Sequence, residues 1–199
     1  MMSDIDLLFE VGAYRHVKRM WIQHFHDGIM ENDAEHSYRV IWIALTLARN
    51  EATAAEIDYK KLMTMALIHD IPEIRCGDQS IVQKLYVQVD EDAALQDMLG
   101  ATSLKDFIDV FHEYKKRECI EAKIVKDADN LEVDFELAER AATGSDLARM
   151  WIKDQRPIVR EKLYTESARN MYDELVAKGN PHQWMLRKNK FTENPHHSE

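Results

Sequence analysis

Apolar residues recur along most of this chain at intervals of three and four positions, the spacing that is typical of amphipathic α-helices. The first predicted helix covers residues 4–22. Its inward face would consist of Ile5, Leu8, Phe9, Gly12, Ala13 and His16. After a predicted loop over residues 24–32, Asp33 is a suitable N-cap for the second helix. The core face of that helix would consist of Val40, Ile43, Ala44 and Leu47, with His36 one turn before Val40.

A third helix is predicted between Asp58, which can cap its start, and the dipeptide His69-Asp70. Pro72 ends the pattern, because a proline disfavours helical geometry at the residue before it. The next segment, residues 80–92, could be a short strand or an irregular helix, and its pattern fits the strand less well.

The second half of the chain contains further helical patterns. They cover residues 92–99, 104–114, 117–142, 145–153 and 159–178. The predicted core stripe of the longest one is Ile120, Ile124, Ala128, Leu131, Phe135 and Ala138. Asp129 lies at the edge of that stripe, where its carboxylate can reach inward. We therefore predict an all-α fold, a single-domain helical bundle over residues 1–186 with a polar tail over residues 187–199.

The composition limits the classes of protein to which the chain can belong. With 199 residues, of which 45% are hydrophobic and 31% charged, it can bury one core and is not intrinsically disordered. No apolar run approaches the ~20 residues that span a bilayer, and acids stand where a signal peptide carries bases, so we expect a cytoplasmic protein. A formal charge of −10 argues against a nucleic-acid groove. Cys76 and Cys119 are expected to be free thiols.

Three predicted helices carry candidate metal ligands on or beside their inward faces. His69 ends an apolar face and brings Asp70 with it, while His36 and Asp129 point inward from two other helices. Two imidazoles and two carboxylates suit a divalent cation, and metal sites in helical bundles are built from facing helices in this way. Such a site keeps positions open for water and a phosphate oxygen, which favours hydrolytic chemistry.

The His-Asp dipeptide alone is weak support for a metal site, because it occurs twice in this chain. The other copy, His26-Asp27, is followed by Gly28 in a polar stretch that is typical of a loop. The prediction therefore depends on the whole set of ligands and on their helical context.

In order and spacing the motifs resemble those of the HD-domain metal-dependent phosphohydrolases, whose pattern is H…HD…D. The matching stretches are Glu35-His36-Ser37, Ile68-His69-Asp70-Ile71-Pro72-Glu73, Cys76-Gly77-Asp78 and Ile124-Val125-Lys126-Asp127-Ala128-Asp129-Asn130-Leu131. Within that superfamily the chain looks most like the compact 5′-deoxynucleotidase group and its phage relatives, some of which hydrolyse deoxynucleoside triphosphates. The resemblance covers about residues 5–142 and implies an HD-type bundle with its motif core at about 33–142 and C-terminal helices at 145–178.

The resemblance also implies the metal ligands, which are His36, His69, Asp70 and Asp129. The aspartate of the family's V-K-x-x-D pattern falls on Asp129, and Asp127 is therefore left out. The mixed nitrogen and oxygen set favours one transition ion, namely Mn²⁺, Co²⁺, Ni²⁺, Fe²⁺ or Zn²⁺, with Mg²⁺ as an option for a triphosphate substrate.

Catalytic and substrate-contacting residues follow from the same resemblance. Glu73 matches the catalytic acid of the family, and Asp78 matches a residue beside the attacked phosphate. Positions that match substrate contacts more loosely are Arg19, Trp21, Ser37 and Lys84. The implied partner is a small nucleotide, with no nucleic-acid polymer and no membrane, and we expect a homo-oligomer, a dimer or higher.

Several of these residues also have a purely structural interpretation. Glu73 could be an acid that favours the start of a helix, Arg19 and Lys84 could be ordinary surface bases, and Trp21 could pack in the core. We expect surface positions for His24, His26, His112, His182, His196 and His197. A mixture of solvated face and intersubunit contact is expected for Asp127, Glu132, Asp134 and Glu136.

Three functions remain open at this point. The first is a metal-dependent nucleotidase that releases phosphate from a deoxynucleoside 5′-monophosphate. The second uses the same site to release triphosphate from a deoxynucleoside triphosphate such as dATP. The third is a non-catalytic nucleotide sensor on the same scaffold, because a fold does not by itself fix a function.

Overall fold

The computed structural model describes residues 2–25, 28, 30–52 and 54–186. Within these ranges the regular secondary structure is helical, apart from one isolated antiparallel bridge between Lys18 and Asn32. The all-α prediction is thus confirmed. The second His-Asp dipeptide, His26-Asp27, for which the sequence predicts a loop, lies outside the described residues. The predicted polar tail, with His196 and His197, also lies outside them.

The helices follow one another along the chain with short connections. The α-helices are α1 (Asp4–Gly12), α2 (Asp33–Asn50), α3 (Tyr59–Ile68), α4 (Glu73–Cys76), α5 (Glu91–Leu99), α6 (Phe107–Lys116), α7 (Ile120–Ala142), α8 (Asp146–Asp154), α9 (Pro157–Lys162), α10 (Glu166–Lys178) and α11 (Gln183–Leu186). Short 3₁₀ helices cover Ala13–His16, Met20–His24, Ala54–Glu56 and Gln83–Leu85.

The bundle is organised around α7, which packs against α2, α3, α6, α8 and α10. The predicted stripes of α2 and α7 meet in the main core, where Val40, Leu47, Ile124 and Leu131 are fully buried. Full burial of a side chain of this size stabilises the fold by roughly 1.5–3 kcal/mol relative to exposure. These two helices therefore bring His36 and Asp129 towards the same part of the interior.

The start of α2 differs from the prediction by one residue. Asn32, and not Asp33, is the N-cap: its side chain accepts from the Glu35 backbone N–H at 3.0 Å, and its own N–H donates to the Glu35 carboxylate at 3.1 Å. This reciprocal capping box leaves the side chain of Asp33 free to turn inward, where it is fully buried. The cap predicted for α3 is confirmed, since Asp58 accepts from the Lys61 N–H.

The predicted helix over residues 4–22 is wrong in its length and in its inward face. The α-helix ends at Gly12, and the chain continues in two 3₁₀ turns. The buried residues of this stretch are Leu7, Tyr14, Arg19 and Ile22. All the residues of the predicted face are exposed, namely Ile5, Leu8, Phe9, Gly12, Ala13 and His16. The helix contacts the bundle through Leu7, which packs against a second apolar cluster with Ile68 and Phe111, so a different stripe is buried.

A second correction concerns the predicted helix over residues 159–178, which is two helices. Pro157 starts α9, where its missing N–H is not needed, and the helix ends at Lys162. Thr165 then caps α10 by accepting from the Ala168 N–H. The segment 80–92 contains a 3₁₀ helix at Gln83–Leu85 and no strand.

The prediction that four acids of α7 lie on a solvated face or in an intersubunit contact is wrong. Asp127, Glu132, Asp134 and Glu136 are buried within the chain itself. Each has a partner from the bundle: Asp134 accepts two hydrogen bonds from Arg156 at 2.6 and 2.7 Å, and Glu136 accepts one from Arg140 at 2.7 Å. Because α7 is surrounded by other helices, it has no wide solvated face.

Two smaller expectations can be checked as well. Cys76 and Cys119 are free thiols, as predicted, and both are half-buried. In the part of the chain that the structure describes, no helix combines the length and the apolar character that a membrane span requires.

The first prediction concerns Asp127, whose carboxylate accepts the Tyr164 N–H at 2.9 Å and the Thr165 N–H and hydroxyl at 2.8 Å each. Replacing it by alanine leaves buried donors without acceptors, which costs ~1–3 kcal/mol for each unsatisfied group. We expect Asp127→Ala to lower the free energy of unfolding, measured by urea denaturation, while the folded protein keeps its metal content. Asp173→Asn, at an exposed pair with Arg160, is the control and should have a much smaller effect. Loss of metal without loss of stability would contradict this structural role.

Candidate metal centre

Four side chains from three parts of the bundle converge on one point. They are His36 of α2, His69 and Asp70 at the end of α3, and Asp129 of α7, and one ligand atom from each lies within 4.8 Å of the others. His36 Nε2 is 3.3 Å from Asp129 Oδ1 and 3.6 Å from Asp70 Oδ2. His69 Nε2 is 3.2 Å from Asp70 Oδ2. The structure thus brings together the four residues that the sequence motifs single out.

The two imidazole rings have the orientation that a metal ion requires. Their Nε2 atoms face each other at 3.4 Å, and each Nδ1 faces an acceptor on the far side. His36 Nδ1 lies 2.8 Å from Glu132 Oε2, and His69 Nδ1 lies 2.9 Å from the Ala66 carbonyl oxygen. An Nδ1 that donates leaves the Nε2 lone pair directed at the shared point. Two nitrogens and two carboxylates therefore form a donor set that suits a divalent transition ion.

The electrostatics of the cluster also favour a positive charge at this point. Burial and Arg19 disfavour an imidazolium, yet hydrogen bonds with Asp129, Asp70 and Glu132 hold the pKa of His36 well above its ordinary value. Burial would raise the pKa of Asp129, but Lys126 and His36 hold it below the ordinary range. Without an ion the carboxylates are thus stabilised by a proton on His36 and by Lys126.

The turn after α3 places the remaining acids. The chain bends through residues 69–72, with the Glu73 N–H donating to the Asp70 carbonyl at 2.9 Å, and α4 begins at Glu73. Pro72 fits the position immediately before that short helix. Glu73 is therefore held one turn beyond Asp70, and its Oε2 is buried without a hydrogen-bond partner among the described residues.

The local charges keep Glu73 in its acid form. Burial, together with the negative charges of Asp70, Asp78 and Asp33, raises the pKa of Glu73 to about 10, although Arg19 opposes the shift. At neutral pH its carboxyl group carries a proton in this structure. Glu73 thus has the protonation state of a general acid.

Arg19 is a buried base beside the cluster and not a surface residue. Its Nη1 lies 3.6 Å from Asp33 Oδ1 and 3.8 Å from both Asp70 Oδ2 and Asp78 Oδ2. Asp78 is fixed in turn by the Met20 N–H, which donates to its Oδ2 at 2.8 Å. The sequence-predicted residues Arg19 and Asp78 are therefore both at the site, where the guanidinium group of Arg19 lies equally close to Asp70 and Asp78.

The extended stretch that carries Arg19 is held in place by the start of α2. The Arg19 N–H donates to the Glu31 carbonyl at 3.2 Å, and the Asp33 N–H donates to the Val17 carbonyl at 2.9 Å. Burial raises the pKa of Asp33 to about 6, while Arg19 and a hydrogen bond with Glu73 oppose the shift.

The other predicted substrate contacts lie in different surroundings. Ser37 is buried, and its hydroxyl group lies 3.0 Å from the Tyr14 hydroxyl. Trp21 packs in an aromatic cluster, with its ring centroid 5.6 Å from that of Phe25 and 6.0 Å from that of Trp151. The geometry of Trp21 thus corresponds to the packing interpretation that the sequence left open.

Lys84 and Lys126 differ in their relation to the metal centre. Lys84 is exposed on the Gln83–Leu85 turn, and its ammonium group makes no ion pair within the described part of the chain. Lys126 Nζ lies 2.6 Å from Asp129 Oδ2 and is partly exposed. Asp129 therefore directs one oxygen to His36 and the other to Lys126.

The structure adds Asp33, Lys126 and Glu132 to the residues that sequence reasoning identified. Lys126 stands inside the V-K-x-x-D motif, three residues before Asp129, so its helical spacing was a usable signal. Glu132 lies three residues after Asp129 on the same helix, where the same rule applies. Asp33 gave no comparable signal, because its burial depends on Asn32 taking the capping position.

The predicted surface histidines are only partly accounted for. His112 is exposed and His182 is half-buried. The side chain of His24 and the residues His26, His196 and His197 lie outside the described part of the chain.

Comparisons with known proteins agree with this geometry. A family model described as HD domain matches residues 11–169. The 5′-deoxynucleotidase HDDC2 of Dictyostelium discoideum is 28% identical over 149 residues, which are 69% of this chain and 78% of that protein. The 5′-deoxynucleotidase HDDC2 of Danio rerio is 28% identical over 115 residues, or 55% of each chain. Among solved structures, a conserved hypothetical protein from Pyrococcus furiosus has a TM-score of 0.75 and 28% identity, covering 87% of this chain and 99% of that one.

The matched region contains the four converging side chains together with Arg19, Glu73 and Asp78. It also spans most of the helices that form the bundle around α7. This chain belongs to the HD domain family.

Proposed function

We propose that this protein is a metal-dependent phosphohydrolase that releases inorganic phosphate from deoxynucleoside 5′-monophosphates. The observation that carries the proposal is the convergence of His36, His69, Asp70 and Asp129 within 4.8 Å, beside the buried Arg19. The choice of substrate is supported by the two relatives named 5′-deoxynucleotidase.

The four converging residues would hold one divalent ion, and the donor set favours Mn²⁺, Co²⁺, Ni²⁺, Fe²⁺ or Zn²⁺ over Mg²⁺. When bound, the ion would polarise a phosphate oxygen and make a water molecule a better nucleophile. The protein contributes the fixed orientation of both imidazoles and a largely buried surrounding in which charge interactions are strong.

The residues around the ligands have separate tasks in this reaction. Arg19 offers a fixed positive charge to the phosphate, and Asp78 holds the Arg19–Met20 stretch in place through the Met20 N–H. Water attacks phosphorus while the bond to the 5′ oxygen breaks, and Glu73 gives its proton to that oxygen as the deoxynucleoside leaves. Glu73 suits this role because burial and the neighbouring carboxylates favour its acid form.

The other candidate substrate contacts are proposed from their positions around the site. Lys126 and Lys84 are candidate bases for the phosphate, the first beside Asp129 and the second on an exposed turn. Ser37 and Trp21 are candidate contacts for the nucleoside, and Trp21 could offer a ring edge at the border of its aromatic cluster.

We also propose a cytoplasmic homo-oligomer, a dimer or higher. Exposed apolar side chains support it, because large apolar patches mark interaction surfaces. Leu8, Tyr38 and Leu67 are more than half exposed and line one apolar cavity of about 420 Å³ between α1, α2 and α3.

The second prediction tests the metal and the substrate together. Chelation should abolish hydrolysis, and Mn²⁺ or Co²⁺ should restore it better than Mg²⁺, when deoxynucleoside mono- and triphosphates are assayed and the products are identified. Phosphate released from monophosphates supports the proposal. Triphosphate as product would replace it with a triphosphohydrolase, and nucleotide binding without turnover would replace it with a sensor.

A corollary of the second prediction is that metal binding depends on pH, because His36 is one of the proposed ligands. Its raised pKa means that the ion must displace a proton, so the affinity should fall as the pH is lowered, by ~10-fold per pH unit for one displaced proton. The measurement is a chelator competition at several pH values. An affinity that is constant with pH would contradict the assignment of His36 as a ligand.

The third prediction separates chemistry from metal binding at Glu73. Glu73→Gln should lower kcat by ~10²–10⁴-fold with an unchanged metal content, because the amide cannot donate a proton to the leaving oxygen. In the wild type, kcat should fall as the pH rises through the pKa of Glu73, since the acid form is then lost. A bound cation will place that pKa below the value of about 10 found without it. If Glu73→Gln keeps normal turnover while Asp78→Asn loses it, the proton role belongs to Asp78.

The fourth prediction compares the two lysines. Lys126→Ala should raise KM for every nucleotide, because this base lies beside Asp129 in the metal centre. Lys84→Ala should raise KM only if the exposed Gln83–Leu85 turn reaches the substrate. A triphosphohydrolase would lose more affinity for a deoxynucleoside triphosphate than for the matching monophosphate in Lys84→Ala. An unchanged KM in Lys126→Ala would remove Lys126 from the substrate site.

A further inference from the structure

The two histidines of the metal centre are anchored by different partners. His69 Nδ1 faces a neutral backbone carbonyl, that of Ala66, at 2.9 Å. His36 Nδ1 faces the carboxylate of Glu132 at 2.8 Å. His36 and Glu132 are both completely buried, on α2 and α7, which share the most extensive helix–helix contact among the described elements.

An ionised Glu132 restricts what His36 can do. A carboxylate only accepts hydrogen bonds, so Nδ1 must carry a proton, and the proton on Nε2 is the one that an incoming ion displaces. The Nε2 atom faces Asp129 Oδ1 at 3.3 Å and Asp70 Oδ2 at 3.6 Å. Glu132 therefore selects the tautomer of His36 in which the ring can bind an ion at the shared point.

Glu132 is held in its own position by charge. Its Oε1 lies 3.4 Å from Arg39 Nη1, and Glu132 shares a hydrogen bond with Glu31, whose pKa is raised to about 8 by burial and by the neighbouring acids. The carboxylates of Glu31 and Glu136 come within 4.8 Å of it, all three buried. Such a crowd of acids does not stabilise the fold by itself, since buried charges without full hydrogen bonding disfavour it. Its presence beside a metal ligand calls for a functional explanation.

We propose that Glu132 is a positioning residue of the metal centre, which orients His36, fixes its Nδ1–H tautomer and makes Nε2 a stronger donor to the ion. The inference deepens the proposed function, because it rests on a metal at the four converging side chains. Carboxylate–histidine–metal arrangements of this kind typically change metal affinity by ~10–100-fold. His69, with its neutral acceptor, has no such reinforcement.

The test uses Glu132→Ala, Glu132→Gln and a matched control, Glu136→Gln. Glu136 lies one turn further along α7, is also buried, and pairs with Arg140 instead of a metal ligand. The dissociation constant of Co²⁺ is measured by chelator competition, and folding is checked by thermal denaturation. Glu132→Ala should bind Co²⁺ about 10–100-fold more weakly. Glu132→Gln, whose amide oxygen still accepts the hydrogen bond without the charge, should lose about 3–10-fold.

A spectroscopic readout distinguishes this role from general destabilisation. In the Zn²⁺-loaded wild type, the His36 Nδ1 proton should give a protected, downfield NMR signal from its short bond to Glu132. The signal should move upfield in Glu132→Gln and exchange away in Glu132→Ala. Glu136→Gln removes a neighbouring charge but not the hydrogen bond to His36, so it should leave the signal in place and change the Co²⁺ affinity less than Glu132→Gln does.

Several outcomes would overturn the proposal. One is a folded Glu132→Ala with wild-type affinity, and another is an equal loss in Glu136→Gln. If the alanine variant does not fold, Glu132→Gln decides, and an unshifted signal with unchanged affinity overturns the proposal. None of these readouts needs turnover. A protein that binds metal as described but hydrolyses no nucleotide would refute the proposed function and leave the role of Glu132 standing.

Discussion

The main physical constraint on this structure is the electrostatic repulsion among the carboxylates that the bundle holds in its interior. Asp33, Asp70, Asp78, Asp129 and Glu132 all lie around one pair of histidines. Buried charges of one sign repel strongly in a surrounding of low dielectric constant, so each must be protonated or paired. The available positive charges are Arg19, Lys126, Arg39 and a proton on His36. A divalent ion at the shared point would relieve the same repulsion, which explains how metal binding and stability become linked.

The long helix α7 is the element that distributes these acids. Successive residues of a helix point in different directions, so Asp127 holds the start of α10, Asp129 faces the metal centre and Glu132 reaches His36. The extended segment before α2, which carries Arg19, lies on the opposite side of the site. Backbone hydrogen bonds and the ion pair with Asp70 hold Arg19 in place. A rigid scaffold on both sides keeps the ligand atoms within a few ångströms without help from a mobile loop.

The acids have the same chemistry but different environments, and this difference separates their roles. Lys126 and the histidines keep Asp129 and Asp70 ionised, as metal ligands must be. Glu73 faces three other acids with only Arg19 in opposition, and it keeps its proton. Two carboxyl groups three residues apart thus differ in protonation, which is how one site can offer both a metal ligand and a general acid at neutral pH.

The sequence by itself determined the all-α fold, most helix positions and the four converging side chains, because helical spacing fixes which residues share a face. His36, His69 and Asp129 could be found in this way, since each continues or borders an apolar stripe. Family motifs added Glu73, Asp78 and Arg19, which the structure places beside the cluster.

Tertiary structure alone decided which polar residues are buried and which groups from other helices they contact. The inward face of α1, the break between α9 and α10, and the burial of Asp33 and Glu132 each depend on a partner distant in the chain. Spacing along one helix shows where a side chain points, but the free energy of a buried carboxylate is set by the charges that other helices bring to it. The protonation of Glu73 and the orientation of His36 are for that reason properties of the assembled bundle.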